Sequence, residues 1–459
     1  MAGYCLDCRT VRKASKSLWR DIRYIPSYAW VVIFLHIFEG FIGFAVDLNM
    51  MTFFHQKFSM NSQTSGQFFG LQGIFVLVLG IPGGIMLDKL GIKVSLIIGF
   101  LAATVSRVIL AFSNNETVSI ATLSVGVSLG GGLIALGLYL TLERMPEGNS
   151  KNLAFNLLYC SENLGDVLAS WVNPLMIDIG GFNQFQFMFL CTAAVSFVGL
   201  VLVLLLYWEP DPLLDPNAVE GEATNAKDLS YWNIVTQKTF LRALTLALVF
   251  LGVRTMFKHL SSIVPIYMQN LYGPSVNYSF AIGINPLGVI ILSPIFGVML
   301  RNLKNPLPVI FLGTLLSALS PLAMVIWRPA GKEWPVWLFN SIFTVGEALY
   351  SPKVSQLAVS IPPPSQKGIY STLITFPAVI GTFFSGFQAG YLLEHFCPDP
   401  VTVTYDYWAF YSCANLWIFV MVVALISPMA LVCSGRFMLG IEKPKYSRKR
   451  LIELEKQEY

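Results

Sequence analysis

The sequence predicts an all-α membrane protein with 12 transmembrane helices in two pseudo-symmetric six-helix bundles, and three observations carry that expectation. The 459 residues are 55% hydrophobic and only 12% charged, with a mean hydropathy of +0.62, whereas ordinary soluble domains hold about 25% charged residues. Twelve apolar runs divide six and six around one polar stretch, each near the roughly 20 residues that a membrane-crossing helix needs. Basic residues alternate from loop to loop: of 30 Lys and Arg, 23 fall on the termini and one set of loops, and three (Lys57, Arg328 and Lys332) on the other set. The positive-inside rule makes the richer set, and therefore both termini, cytoplasmic. A missed span would invert every later loop and erase that asymmetry.

In chain order, residues 1–27 form a basic cytoplasmic segment. Its Arg9, Arg12, Lys13, Lys16, Arg20 and Arg23 precede an apolar run longer than the core of a cleavable signal, about 7 to 15 residues. The N-terminal bundle, 28–207, holds runs at 28–54, 66–86, 92–112, 118–140, 153–177 and 185–207. A polar, acidic, Pro-rich cytoplasmic linker covers 208–238. The C-terminal bundle, 239–433, holds runs at 240–268, 280–300, 307–327, 334–361, 370–393 and 408–431, and a basic cytoplasmic tail covers 434–459. This leaves no room for a large soluble catalytic domain. The net charge of +4 is too small and dispersed to suggest nucleic acid. Seven cysteines, at 5, 8, 160, 191, 397, 413 and 433, lack the dense even spacing of a disulfide scaffold and set no redox compartment. Cys5 and Cys8 have no second ligand pair for zinc, so neither metal nor cofactor is expected.

A charged side chain at mid-span costs about 2.5 to 3.5 kcal/mol even on insertion scales, so each one needs a partner or a water-filled cavity. Five acids (Glu39, Asp47, Glu162, Asp166, Glu347) and four bases (Arg107, Arg254, Lys258, Lys353) lie within the predicted spans, away from their ends. Arg254 and Lys258 are one turn apart on the seventh span, as are Glu162 and Asp166 on the fifth, so each pair shares a face. Charges of both signs near mid-membrane suit a substrate of both signs, or a proton that titrates one acid of a pair. Pro286, Pro294, Pro352 and Pro377 interrupt spans and are candidate hinges, because proline removes a backbone donor.

The second span ends in Gly84, Asp88, Lys89, Gly91 and Lys93, spaced as G-x-x-x-D-K-x-G-x-K. This resembles the loop signature of the major facilitator superfamily, in which glycine permits close helix approach and the carboxylate latches one conformation. A degenerate copy, Gly297 to Lys304, lies 213 residues later, the half-to-half repetition on which such transporters are built. Three further stretches resemble the proton-coupled oligopeptide transporter family: Gly283-Ile-Asn285-Pro286 in the eighth span, Gly346-Glu347 to Ser351-Pro352 in the tenth, and Tyr159-Cys-Ser-Glu162-Asn163-Leu-Gly165 in the fifth. That family's first helix reads E-x-x-E-R-F, whereas this chain has Glu39, Gly40 and Phe41 in the aligned stretch, and its fourth-helix lysine falls on Ile134.

The resemblance implies a major facilitator fold whose first, fourth, seventh and tenth helices surround a central cavity. It implies a secondary active transporter for a small polar organic solute, coupled to protons, with amino compounds or short peptides favoured. The substrate and proton residues expected are Glu39, Arg254, Lys258, Glu347, Glu162, Asp166, Asn163 and Tyr159. Glu347 is expected to take the cationic part of the solute, and an Asp47 or Glu39 pair with Arg254 or Lys258 to close the outer gate. Alternatives are an organic-anion or sugar carrier using Arg254, Lys258 and Arg107, and a transporter-fold receptor or sorting partner that no longer transports. An enzyme is not expected: there is no H-E-x-x-H or P-loop pattern. Expected partners are the solute, protons and the lipid bilayer, with a sorting adaptor or accessory subunit where Glu209-Pro-Asp-Pro-Leu213-Leu214 serves as an acidic dileucine signal; a solvated acidic loop is the plainer reading. The expected location is the plasma membrane or an endosomal or lysosomal membrane.

Overall fold

The computed structural model describes residues 19–146, 148–175, 183–210, 236–300, 303, 305–327, 332–361, 367–399 and 407–439. Among them regular structure is entirely helical: α1 (Ser27–Phe58), α2 (Ser62–Leu90), α3 (Ile92–Phe112), α4 (Glu116–Ala121), α5 (Ser128–Glu143), α6 (Asn149–Val172) and α7 (Gln184–Leu206) precede the linker. After it come α8 (Lys238–Val249), α9 (Leu251–Ser262), α10 (Val264–Tyr272), α11 (Tyr278–Met299), α12 (Leu307–Leu319), α13 (Leu322–Ile326), α14 (Trp334–Ser360), α15 (Lys367–Phe396) and α16 (Tyr407–Met438). Nine helical stretches among the described residues are long and apolar enough to cross a membrane. The helices α6, α14 and α15 are as long, at 24, 27 and 30 residues, and α6 carries Lys151, Glu162 and Asp166 along its length.

Helix beginnings follow local chemistry. The side chains of Asn61, Asn115 and Asn183 accept the first free backbone N–H groups of α2, α4 and α7, the usual answer to a helix's unpaired N-terminal donors. Two predicted spans are more broken than their hydropathy suggests. The fourth contains a π-helical turn, Thr122–Val127, between α4 and α5. The seventh is three helices: α8 ends at Phe250, where the Val253 N–H donates to Ser427 Oγ on α16 at 3.0 Å, and Pro265 opens α10. An interrupted helix needs such substitutes because lipid offers no donor or acceptor. The final helix runs through Met438, past the predicted bundle boundary at 433.

Within the first half α1 packs on α6, and α3 on α5 and α7; within the second, α14 packs on α11 and α12, and α9 on α15. The halves meet through α2 on α15 and α6 on α11. We call the end where α1 begins the inner end, the side that the charge asymmetry assigns to the cytoplasm.

Candidate functional site

The polar interior is built first by how closely α1 and α6 touch. A Cβ on Gly40 would collide with the Glu162 carbonyl oxygen, and one on Gly165 with the Ile37 carbonyl oxygen, so the two backbones are in contact. That approach puts four acids side by side: Glu39 lies within electrostatic reach of Glu162 and Asp47, and Asp166 within reach of Glu162, Glu39 and Asp47. It also accounts for the missing arginine at position 40, whose side chain would have to occupy the α6 backbone. Ile134, where the resembled family has lysine, is fully buried and would contact a Cβ placed on Gly99 of α3.

Across from this wall stand the bases of α9. Lys258 Nζ donates to Asp47 Oδ2 at 2.7 Å, with both side chains 22% exposed. Of the outer pairings that the sequence leaves open, this is the one that forms. Arg254 makes no ion pair with Glu39 among the described residues; it sits within reach of Tyr350, Glu347, Tyr159 and Glu162. Glu347, only 3% exposed, accepts a 2.7 Å hydrogen bond at Oε2 from Asn285 Nδ2 of α11, so the protein itself already engages the carboxylate. The Tyr159 hydroxyl bonds to the side chain of Ser351, joining α6 to α14.

Other candidates turn inward to their own scaffolds. Asn163 Nδ2 donates to the Tyr159 carbonyl one turn earlier. Arg107, 1% exposed, donates to the carbonyl oxygens of Ala103 and Ile42 and so ties α3 to α1. His259 faces away from the acids, with Nε2 3.0 Å from Gln388 Oε1 on α15.

At the inner end Gly91 separates α2 from α3 with a φ of 84°, a left-handed value that glycine adopts without strain. Glu209, just past α7, accepts the Lys93 backbone N–H at 3.1 Å and the Arg144 guanidinium at 2.7 Å. Burial raises the Glu209 carboxyl, but the backbone N–H groups of Lys93 and Ile92 and the Arg144 charge outweigh it and hold it below the usual carboxylate range. Hence Glu209 is not a freely solvated linker acid, while Leu213 and Leu214 lie outside the described residues. The Gly84 position is open, Lys89 is exposed, and the Asp88 side chain lies outside the described residues.

The outer end is sealed by contacts the sequence did not reveal. Cys397, just past α15, is disulfide-bonded to Cys413 in α16, which corrects the reading that the cysteines impose no redox constraint; such bonds persist in oxidising compartments. Their one legible signal is that they flank a single predicted outer loop. Asp399 in that loop meets His55 Nε2 of α1 at 3.0 Å, and Glu394 of α15 accepts the Ser62 N–H of α2 at 3.0 Å. The Gln56 side chain donates to Gln269 at 3.2 Å, and Asn173 to Ser279 at 2.6 Å.

The family model of the Major Facilitator Superfamily matches residues 28–386. No curated protein matches the chain. Among solved structures, a POT family transporter in complex with 5-aminolevulinic acid is 17% identical with a TM-score of 0.70, and the POT family transporter PepTSo is 17% identical with a TM-score of 0.72. A third, described under substrate recognition in proton dependent oligopeptide transporters, is 14% identical with a TM-score of 0.74; each alignment covers 91% of this chain and 99% of the other. Likeness at this identity speaks for the fold. With the family model matched over most of its length, the chain is a multi-pass membrane transporter that belongs to the Major Facilitator Superfamily.

Proposed function

We propose that the protein is a secondary active transporter that moves a small polar organic solute by alternating access, coupled to protons, with amino compounds or short peptides favoured. The carrying observation is the set of ionisable side chains of both signs at the junction of the two halves. Glu39, Glu162 and Asp166 stand on one wall and Arg254 on the other, and none of the four makes a hydrogen bond to a described side chain. Lipid does not tolerate such groups, so they mark a water-filled pathway. Carboxylates grouped this way exchange protons readily, and the seal at the outer end is one half of an alternating-access cycle. The solved POT structures of similar fold include complexes with 5-aminolevulinic acid and with a thioalcohol-conjugated peptide, both amino compounds.

The organic-anion reading fares worse because two of its three bases are occupied: Lys258 by Asp47 and Arg107 by backbone carbonyls. The test is uptake of radiolabelled dipeptides and amino acids into proteoliposomes with and without an inward proton gradient. Uptake stimulated by the gradient is expected. Uptake of a proven substrate that ignores the gradient removes proton coupling, and uptake of sugars or organic anions alone removes the amino-compound reading.

A further inference from the structure

Deepening the transporter reading above, we infer that the solute is selected for positive charge: its cationic group docks on the α1–α6 wall at Glu39, Glu162 and Asp166, and any carboxylate it bears docks on Arg254 opposite. The argument begins with which charges are already met. Asp47 and Lys258 answer each other at 2.7 Å. Glu347 is held by Asn285 and lies beside Arg254. The two terminal nitrogens of Arg107 are engaged by the carbonyls of Ala103 and Ile42, and its charge lies within electrostatic reach of Glu39. What remains on the first half is three carboxylates that accept no hydrogen bond from a described residue, and on the second half one guanidinium that donates none.

Glu162 is the centre of this set. It lies within electrostatic reach of His36, Glu39, Tyr159, Asp166, Arg254 and Lys258, and so sits between the acidic wall and the basic one. A second observation on the same wall is His36. The ring is 7% exposed, Nδ1 has no partner, and Nε2 lies 4.0 Å from Glu39 Oε2, beyond hydrogen-bond range. A buried ring without a hydrogen bond beside carboxylates without donors leaves acceptor capacity that an ammonium with three N–H groups, or a guanidinium with five, would satisfy. A carboxylate on that wall would meet like charge, whereas on the other wall it meets Arg254. Even with the Arg107 charge in reach of Glu39, three acids without donors against one base without acceptors favour a solute with more positive than negative groups.

The test uses purified full-length protein and thermal-shift titration with four probes: lysyl-alanine, alanyl-alanine, alanyl-glutamate and cadaverine. The half-effect concentration of lysyl-alanine should fall at least about tenfold below that of alanyl-alanine, a difference one added ion pair readily supplies, with alanyl-glutamate weakest. Glu162→Gln should shrink the ratio between lysyl-alanine and alanyl-alanine toward one, and Asp166→Asn should reduce it. Arg254→Gln should weaken the dipeptides while sparing the carboxylate-free diamine cadaverine. If Glu162→Gln fails to fold, the wild-type ranking and Asp166→Asn decide. Equal affinities, or a preference for alanyl-glutamate, overturn the charge selectivity alone. Absence of binding by all four probes overturns it together with the amino-compound reading on which it rests.

Discussion

Asp47 and Lys258 meet across the two halves of the molecule at a depth where either one alone would be costly. Their side chains keep 22% exposure, so water screens part of the attraction and the pair's main effect is on which state of the transporter is populated. The contact exists only while the outer ends of α1 and α9 lie together, so it favours that state by whatever it contributes. Removing one member of a fully buried pair costs about 3 to 5 kcal/mol, an upper limit here. Asp47→Asn and Lys258→Gln should each lower proteoliposome uptake severely, while the reversal Asp47→Lys with Lys258→Asp should recover part of what the worse single change loses. A reversal no better than that single change would remove the gate assignment. The sequence singled out both residues but left four pairings open, because span hydropathy fixes the depth of a side chain only to within about a turn, roughly 5.4 Å. What distinguishes them is the Gly40–Gly165 crossing, which sets α1 against α6 and leaves Asp47 opposite Lys258.

The element that most changes between sequence and structure is the outer loop after α15. Its disulfide fixes the start of the loop to α16, and Asn270 of α10 donates to the Cys397 carbonyl at 2.9 Å. The loop thereby presents Asp399 to His55 of α1. His55 Nδ1 lies 2.7 Å from the Met60 carbonyl oxygen and Nε2 3.0 Å from Asp399 Oδ2. The ring thereby bridges the end of α1 to the outer loop. The neighbouring charges are Glu394, which caps α2, and Lys57, whose Nζ donates to Ser113. His55→Gln should speed labelling of an outer-cavity cysteine by an impermeant maleimide, because the outer loop loses its tie to α1. An unchanged labelling rate in His55→Gln would contradict that tie. Little of this was legible, because a hydropathy window treats a polar outer loop as featureless. Prolines likewise marked candidate hinges in the eighth, tenth and eleventh spans, whereas the break in the seventh, which Ser427 repairs, was not foreseen.

For the whole molecule, an all-helical membrane fold was plain in the sequence because it follows from hydropathy, which is a sum over many residues. The conformational state was not legible, because it depends on single contacts between helices distant in sequence. The most compact of these is the crossing of α2 and α15: a Cβ on Gly66 would lie 2.6 Å from the Gly390 Cα, and one on Gly390 would lie 2.8 Å from the Gln63 carbonyl oxygen. All of these residues belong to the outer halves of their helices, as do Asp47, His55, Gln56, Lys258 and Glu394. If the two halves rock about a central site, this crossing must separate for solute to enter from outside. A bulky residue there should hold it apart, since packed backbones cannot absorb four added carbons without moving. Gly390→Leu should therefore abolish net transport yet leave ligand-induced thermal stabilisation, because the interior charges remain. Thr52, 1% exposed on α1 and hydrogen-bonded to the Asn49 carbonyl of its own helix and to Tyr278, provides the reporter. Thr52→Cys should react slowly with an impermeant maleimide in the otherwise native protein, and at least about tenfold faster with Gly390→Leu, the ratio expected when closure loses about 1.4 kcal/mol. Equal labelling rates with transport intact would mean that the α2–α15 crossing does not part during the cycle, and that solute enters by separation of α6 from α11 instead.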